Sequence, residues 1–149
     1  MGTGDHATGE GLAMDCIVPG TPQGKARPRF SRKSGTVYTP AKTRCYERRI
    51  AAAYQEEGGE KYPAGCYVRV LIRAFFQVPK SWSKAKREKA LAGEIRPDKK
   101  PDIDNVEKVV LDGLNGIAYD DDKQVVYIAC KKEYANTGEL WICVVEDKV

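Results

Sequence analysis

Pro101–Val126 reads PDIDNVEKVVLDGLNGIAYDDDKQVV, and its pattern decides the fold. Val106, Val109, Val110 and Leu114 recur at helical spacing, so Asp104–Leu114 is a helix with one buried side. Asn115-Gly116 ends it. Lys123 then opens a run of alternating residues to Tyr134, which reads as a strand. The stretch also holds seven acids: Asp102, Asp104, Glu107, Asp112, Asp120, Asp121 and Asp122. The whole chain is basic, with a formal net charge of +4. A compact acidic cluster in a basic protein suits an enzyme that holds Mg²⁺ with its acids and a polyanion with its surface.

On the amino-terminal side, Gly65–Val78 is the clearest strand. Val68, Val70, Ile72, Ala74, Phe76 and Val78 alternate with a mixed set carrying Arg69 and Arg73. Trp82 follows, and Ser83 is placed to cap a basic helix, KAKREKALA, ended by Gly93. Thr39–Glu57 reads as a helix with Thr39 as cap, Pro40 in the first turn and Gly58-Gly59 as stop. Its apolar face is Tyr46, Ile50, Ala53 and Tyr54. Asp15–Pro19 is a short strand. On the carboxyl side, Glu139–Glu146 contains LWICVV, nearly all apolar as in a central strand. Asn136-Thr137-Gly138 is expected to join it to the preceding strand as a hairpin. The fold class is therefore α+β: a single domain with a mixed sheet of about four strands packed with three helices.

The 149 residues allow one domain, here 14–149. Residues 1–13, MGTGDHATGEGLA, are small and polar and read as a disordered extension, with Met14 as an alternative start. No apolar run is long enough to span a membrane. The five cysteines are odd in number and none has C-x-x-C spacing. That argues against a disulfide framework or zinc site and for a reducing cytoplasm. The one histidine, His6, lies in the extension. Serine triads, Cys-His nucleophiles, zincins and histidine-based nuclease fingers all need a core histidine. The chemistry must run on carboxylates, lysine and metal.

Charge is segregated along the chain. Residues 14–50 hold nine Lys/Arg against Asp15 and Glu47, whereas residues 101–149 hold five Lys against eleven acids. A phosphate-binding surface beside an acidic pocket has this form. Lys25, Arg27, Arg29, Arg32 and Lys33 crowd the Gly- and Pro-rich stretch 20–40, with Phe30 and Tyr38 between them. Such a loop suits contact with a DNA backbone and stacking on unpaired bases. Gly24-Lys25 is not a P-loop, because Ala26 replaces the required Ser/Thr.

In an extended Lys100–Asp104 segment the carboxylates of Asp102 and Asp104 point to one side. Lys108 lies one helical turn beyond Asp104. The helix-then-strand return is expected to bring the Asp120–Asp122 triplet back beside Asp102. Converging carboxylates suit one or two Mg²⁺ ions. Structural readings stand beside these. Asp104 with Glu107 forms a capping-box pattern. Lys108 can pair with Asp104 or Asp112, Asp112 can serve the helix end, and the triplet can be a solvated turn.

PDIDN-x-x-K, then LDGLNG, then DD-x-QVV, resembles the RusA-type Holliday-junction resolvases. The likeness is strong over 101–126 and weaker over the PGTPQGKARPR loop. It implies a homodimeric, Mg²⁺-dependent endonuclease, with Mn²⁺ as a substitute, that cuts four-way DNA junctions by paired nicks. It needs no small-molecule cofactor and no membrane. The family's essential acids fall on Asp102, Asp104 and Asp122, and its essential lysine on Lys108; Asp121 matches the acid beside the third position. Asp102, Asp104, Asp121 and Asp122 are thus the implied metal ligands. Asp120 is left without a role. Two alternatives remain open at this point. Pro101-Asp102 with Asp121-Asp122-Lys123 imitates the PD…D-x-K pattern of restriction-type nucleases, which would make Lys123 the working lysine. The basic loop alone would also serve a non-catalytic binder of branched or single-stranded nucleic acid.

Overall fold

A computed structural model describes residues 14–148; the extension expected over 1–13 lies outside them. The chain runs β1 (Met14–Pro19), β2 (Arg29–Ser31), β3 (Thr36–Tyr38), α1 (Ala41–Glu56), β4 (Val68–Gln77), α2 (Lys84–Leu91), α3 (Ile103–Leu114), β5 (Val125–Ala135) and β6 (Glu139–Glu146). A one-turn 3-10 helix, Asp122–Gln124, leads into β5.

Four strands form one mixed sheet in the order β1-β6-β4-β5. β6 is antiparallel to both β1 and β4, and β5 is parallel to β4. The alternation of β4 is realised: Val68, Val70, Ile72 and Ala74 are buried. They share a core with Cys16 and Val18 of β1 and Leu140, Ile142 and Val144 of β6. α1 contributes Tyr46, Ile50 and Tyr54, and α3 contributes Val106, Val109, Val110 and Leu114. Each such aliphatic side chain gains roughly 1.5–3 kcal/mol from leaving water, so these residues fix how the helices sit on the sheet. The two helices meet at Gly113. A Cβ there would lie 3.1 Å from both the Glu47 carbonyl and Ile50 Cβ, so the small residue permits the close approach. All five cysteines are free.

The expected hairpin between the last two strands does not form. β5 and β6 flank β4 on opposite sides and do not pair with each other. Residues 136–138 instead cross the end of β4. Gly138 accepts from the Gly20 amide at 3.1 Å, and a Cβ on it would lie 3.2 Å from Thr21 backbone. Turn residues report a change of direction, not which strand lies between. Two caps also differ. Pro40, not Thr39, occupies the cap position of α1, and Asp102, not Asp104, that of α3. Neither helix start receives a side-chain capping bond. The expected Asp104–Glu107 box therefore does not operate, and Asp104 sits exposed in the first turn. Ser83 does cap α2, accepting from the Lys86 amide at 3.2 Å. Within the basic stretch read as irregular, β2 and β3 form a small hairpin, with Arg32 and Lys33 in its turn and Gly35 at φ 68°.

Candidate active site

α3 presents its acids because Val106, Val109, Val110 and Leu114 commit its opposite side to the core. Asp104, Lys108 and Asp112 follow at four-residue steps along the exposed side. Lys108 Nζ stands 3.9 Å from Asp104 Oδ2, with both side chains 63% exposed. A pair this long and this wet is weak, so both groups stay available. Asp102 stands just before the helix, exposed and in extended backbone.

The acidic turn is built by Tyr119 and Gln124. Tyr119 is fully buried and donates its hydroxyl to the Leu111 carbonyl at 2.8 Å. Gln124, also buried, accepts the Asp120 and Asp121 amides on its Oε1 at 2.8 and 3.1 Å. Its Nε2 donates to the Pro63 and Cys66 carbonyls at 2.9 and 3.1 Å. One side chain thus fixes the acidic turn to the 62–66 segment. Sequence reasoning missed this role; its local signal is the capping-box spacing Asp121-x-x-Gln124, which the 3-10 turn realises.

The three acids of the turn separate by environment. Asp120 pairs with Lys61 at 3.0 Å, and that lysine holds its carboxyl below the usual range. Asp121 caps the 3-10 turn, its Oδ1 accepting from the Lys123 amide at 2.9 Å; that bond holds it low as well. Asp122 moves the other way. Loss of hydration raises it first, then a hydrogen bond shared with Asp121, then the charges of Asp121 and Asp112. Asp122 is therefore the acid of the turn whose charged form is least favoured.

Lys25 answers part of that charge. Its Nζ lies 2.7 Å from Glu47 Oε2 and 3.0 Å from Asp112 Oδ2. Burial alone would lower its proton affinity, but the bonds to Glu47 and Asp112 outweigh that and hold it above the ordinary lysine value. Its amide donates to the Asn105 carbonyl at 2.8 Å. The neighbouring Gly24 is needed for this docking: a Cβ there would fall 2.7 Å from Pro101 Cβ. The basic loop is thus pinned to the start of α3. Of the expected DNA contacts, Arg27, Arg29, Arg32 and Lys33 are exposed, whereas Lys25 is turned inward.

The return of the chain sets Asp122 against Asp121 and within electrostatic reach of Asp112. Among the described residues no three acids stand close enough together to hold a metal ion.

Residues 19–144 match the family model described as Endodeoxyribonuclease RusA. The chain belongs to the RusA endodeoxyribonuclease family. A relative from Bacillus subtilis (strain 168), named Uncharacterized protein YqaN, is 36% identical over 140 residues, covering 89% of this chain and 98% of the relative. As a RusA-family member the protein is an endodeoxyribonuclease of the Holliday-junction class, which sets aside the non-catalytic binder. The α+β domain with its mixed sheet is consistent with that family. No helix among the described residues is long and apolar enough to cross a membrane.

RusA-family nucleases are divalent-metal enzymes, and the donor chemistry here fits such an ion. The exposed carboxylates of Asp102, Asp104, Asp121 and Asp122 are hard oxygen donors. Lost hydration, then Asp121 and Asp112, raise the proton affinity of Asp122, a penalty on its charged form that a bound cation would offset.

Proposed function

We propose that the protein is a Mg²⁺-dependent resolvase that works as a homodimer and cuts four-way DNA junctions by paired symmetric nicks. The observation that carries this reading is the match of residues 19–144 to the RusA endodeoxyribonuclease family, with Asp104 and Lys108 exposed one turn apart on α3. Asp102, Asp104, Asp121 and Asp122 would supply the metal's oxygen ligands, drawn together by the ion on binding, with Mn²⁺ as a substitute. The bound ion supplies an acidified water and neutralises charge on the phosphate. Asp102 and Asp104 come from the start of α3, and Asp121 and Asp122 from the turn that Gln124 fixes. Lys108, only loosely paired, is free to donate to a non-bridging phosphate oxygen as negative charge grows there. With the ion bound, a water oxygen would form the new bond to phosphorus as the strand P–O bond breaks, and the proton that the water gives up would pass through solvent to the departing oxygen.

The test is incubation of the purified protein with a labelled four-way junction, in Mg²⁺ and in EDTA. Paired nicks in Mg²⁺ and none in EDTA are expected. Junction binding with no metal-dependent nicking sinks the proposal.

A further inference from the structure

A groove of about 760 Å³ runs between the 21–29 loop, the start of α1 and the approach to α3. Its walls carry Lys25, Arg27, Arg29, Lys42 and Lys100, and its one acid is Asp102. Lys25 is already neutralised by Glu47 and Asp112. The other four have no ion-pair partner among the described residues and are exposed. Four unpaired cations in one groove repel one another, an arrangement that favours an anionic occupant. The start of α1 lines the same groove at Pro40, Lys42 and Thr43, with no side-chain cap and no acid in its first turn. Nothing on that wall competes with an anion.

We propose that this groove is the track for the DNA strand being cut, and that Lys42 and Lys100 are phosphate contacts within it. The proposal rests on the nuclease reading above and extends it. A phosphodiester strand supplies regularly spaced single charges. Arg27 and Arg29 would meet them from the loop wall, Lys42 from the helix wall, and Lys100 beside the acid-bearing segment. The strand is thereby led to Asp102, where the acids begin. Lys25 takes a different part: it is the strut that closes the groove floor, holding the loop to Asp112 and Glu47 rather than to DNA.

The groove is tested by junction binding in EDTA, measured by fluorescence anisotropy across a salt series. Lys42→Ala/Lys100→Ala is expected to weaken binding about tenfold. The slope of log affinity against log salt should fall by roughly two contacts' worth, about 0.7–0.9 each. Lys42→Arg/Lys100→Arg should restore most of the affinity. Lys84→Ala/Lys89→Ala on α2 removes the same charge outside the groove and should change affinity less than about twofold. Both lysine pairs are exposed, and near-UV circular dichroism confirms that each variant is folded. Unchanged binding in the groove variant, or equal losses in both alanine pairs, overturns the proposal. Failure of the nuclease reading looks different: wild-type protein would bind the junction with the groove's salt signature and never nick it in Mg²⁺.

Discussion

Lys108 follows Asp104 on α3 and Lys123 follows Asp122 in the acidic turn, and the two nuclease patterns disagree about which one works. Lys108 leaves an exposed helix face one turn from Asp104 and holds only a 3.9 Å partner. Lys123 is exposed too, but what binds it to the acids is its amide, which caps against Asp121. Lys108→Ala is therefore expected to abolish junction cutting, while Lys123→Ala retains most of it, since the capping amide survives the substitution. The reverse result moves the working lysine to Lys123. Asp102→Asn should bind the junction as the wild type does and fail to cut; equal loss of both would make Asp102 structural. Gln124→Ala strips the partners from two amides and from the carbonyls of the 62–66 segment. A loss of about 2–3 kcal/mol is expected, seen as a fall of roughly 5–10 °C in Tm. Asp102, Asp104 and Lys108 could be read from the sequence, because local spacing on a helix start determines where they point. Gln124 and Lys25 could not. Gln124's bonds to the 62–66 segment span about sixty residues, and Lys25's partners lie between twenty-two and eighty-seven residues away; no local pattern encodes such contacts, although Asp121-x-x-Gln124 carries the capping-box spacing of the turn.

At the level of elements, the legible parts were those with a strong period. β4 alternates and α3 keeps a helical stripe, and both were placed by their buried sides. β6 was legible as a central strand because it is apolar on both faces. The position of β5 was not, since its polar-apolar pattern suits either a hairpin partner of β6 or an edge strand beside β4. The structure settles this with the β4–β5 parallel ladder, over which Arg73 Nε and Nη2 donate to the two Glu133 oxygens at 2.7 and 3.0 Å. Arg73 lowers the proton affinity of Glu133, chiefly through that hydrogen bond. A carboxyl held lower in the folded state stabilises the fold above its unfolded value, near 4.5. That contribution is lost as pH falls through the folded value. Because Arg73 is 49% exposed, the pair is worth less than about 1 kcal/mol. Glu133→Gln should lower stability by that amount at neutral pH and converge with wild type in acid. Urea midpoints at pH 7 and pH 3 check it; an equal deficit at both would mean the glutamate acts through packing.

For the whole molecule, the charge segregation read along the chain becomes a spatial division. The cations of the 21–29 loop, Lys42 and Lys100 line one groove, and the acids begin at its edge with Asp102. A single copy has one such groove and one acidic turn, so it can cut one strand per encounter. Resolution of a junction into two duplexes needs two cuts related by the junction's own symmetry, which a two-fold dimer supplies. The discriminating experiment mixes wild-type chains with tagged Asp102→Asn chains and isolates the mixed dimers. If each protomer carries a whole active site, the mixed dimer nicks one strand and stops, and a supercoiled cruciform plasmid accumulates as the open circle. Wild-type chains, as the proposed dimer, are expected to give the linear form. If the acids of one site come from both protomers, one intact set also remains and this mixed dimer also nicks. Dimers of Asp102→Asn with Asp122→Asn chains separate the two cases: sites built within one chain are then both damaged, whereas shared sites leave one whole and still nick. No cutting by the dimer of Asp102→Asn with Asp122→Asn chains is the outcome expected from the chain order: Asp102 and Asp104 open α3, and the turn carrying Asp121 and Asp122 follows the same helix within one chain.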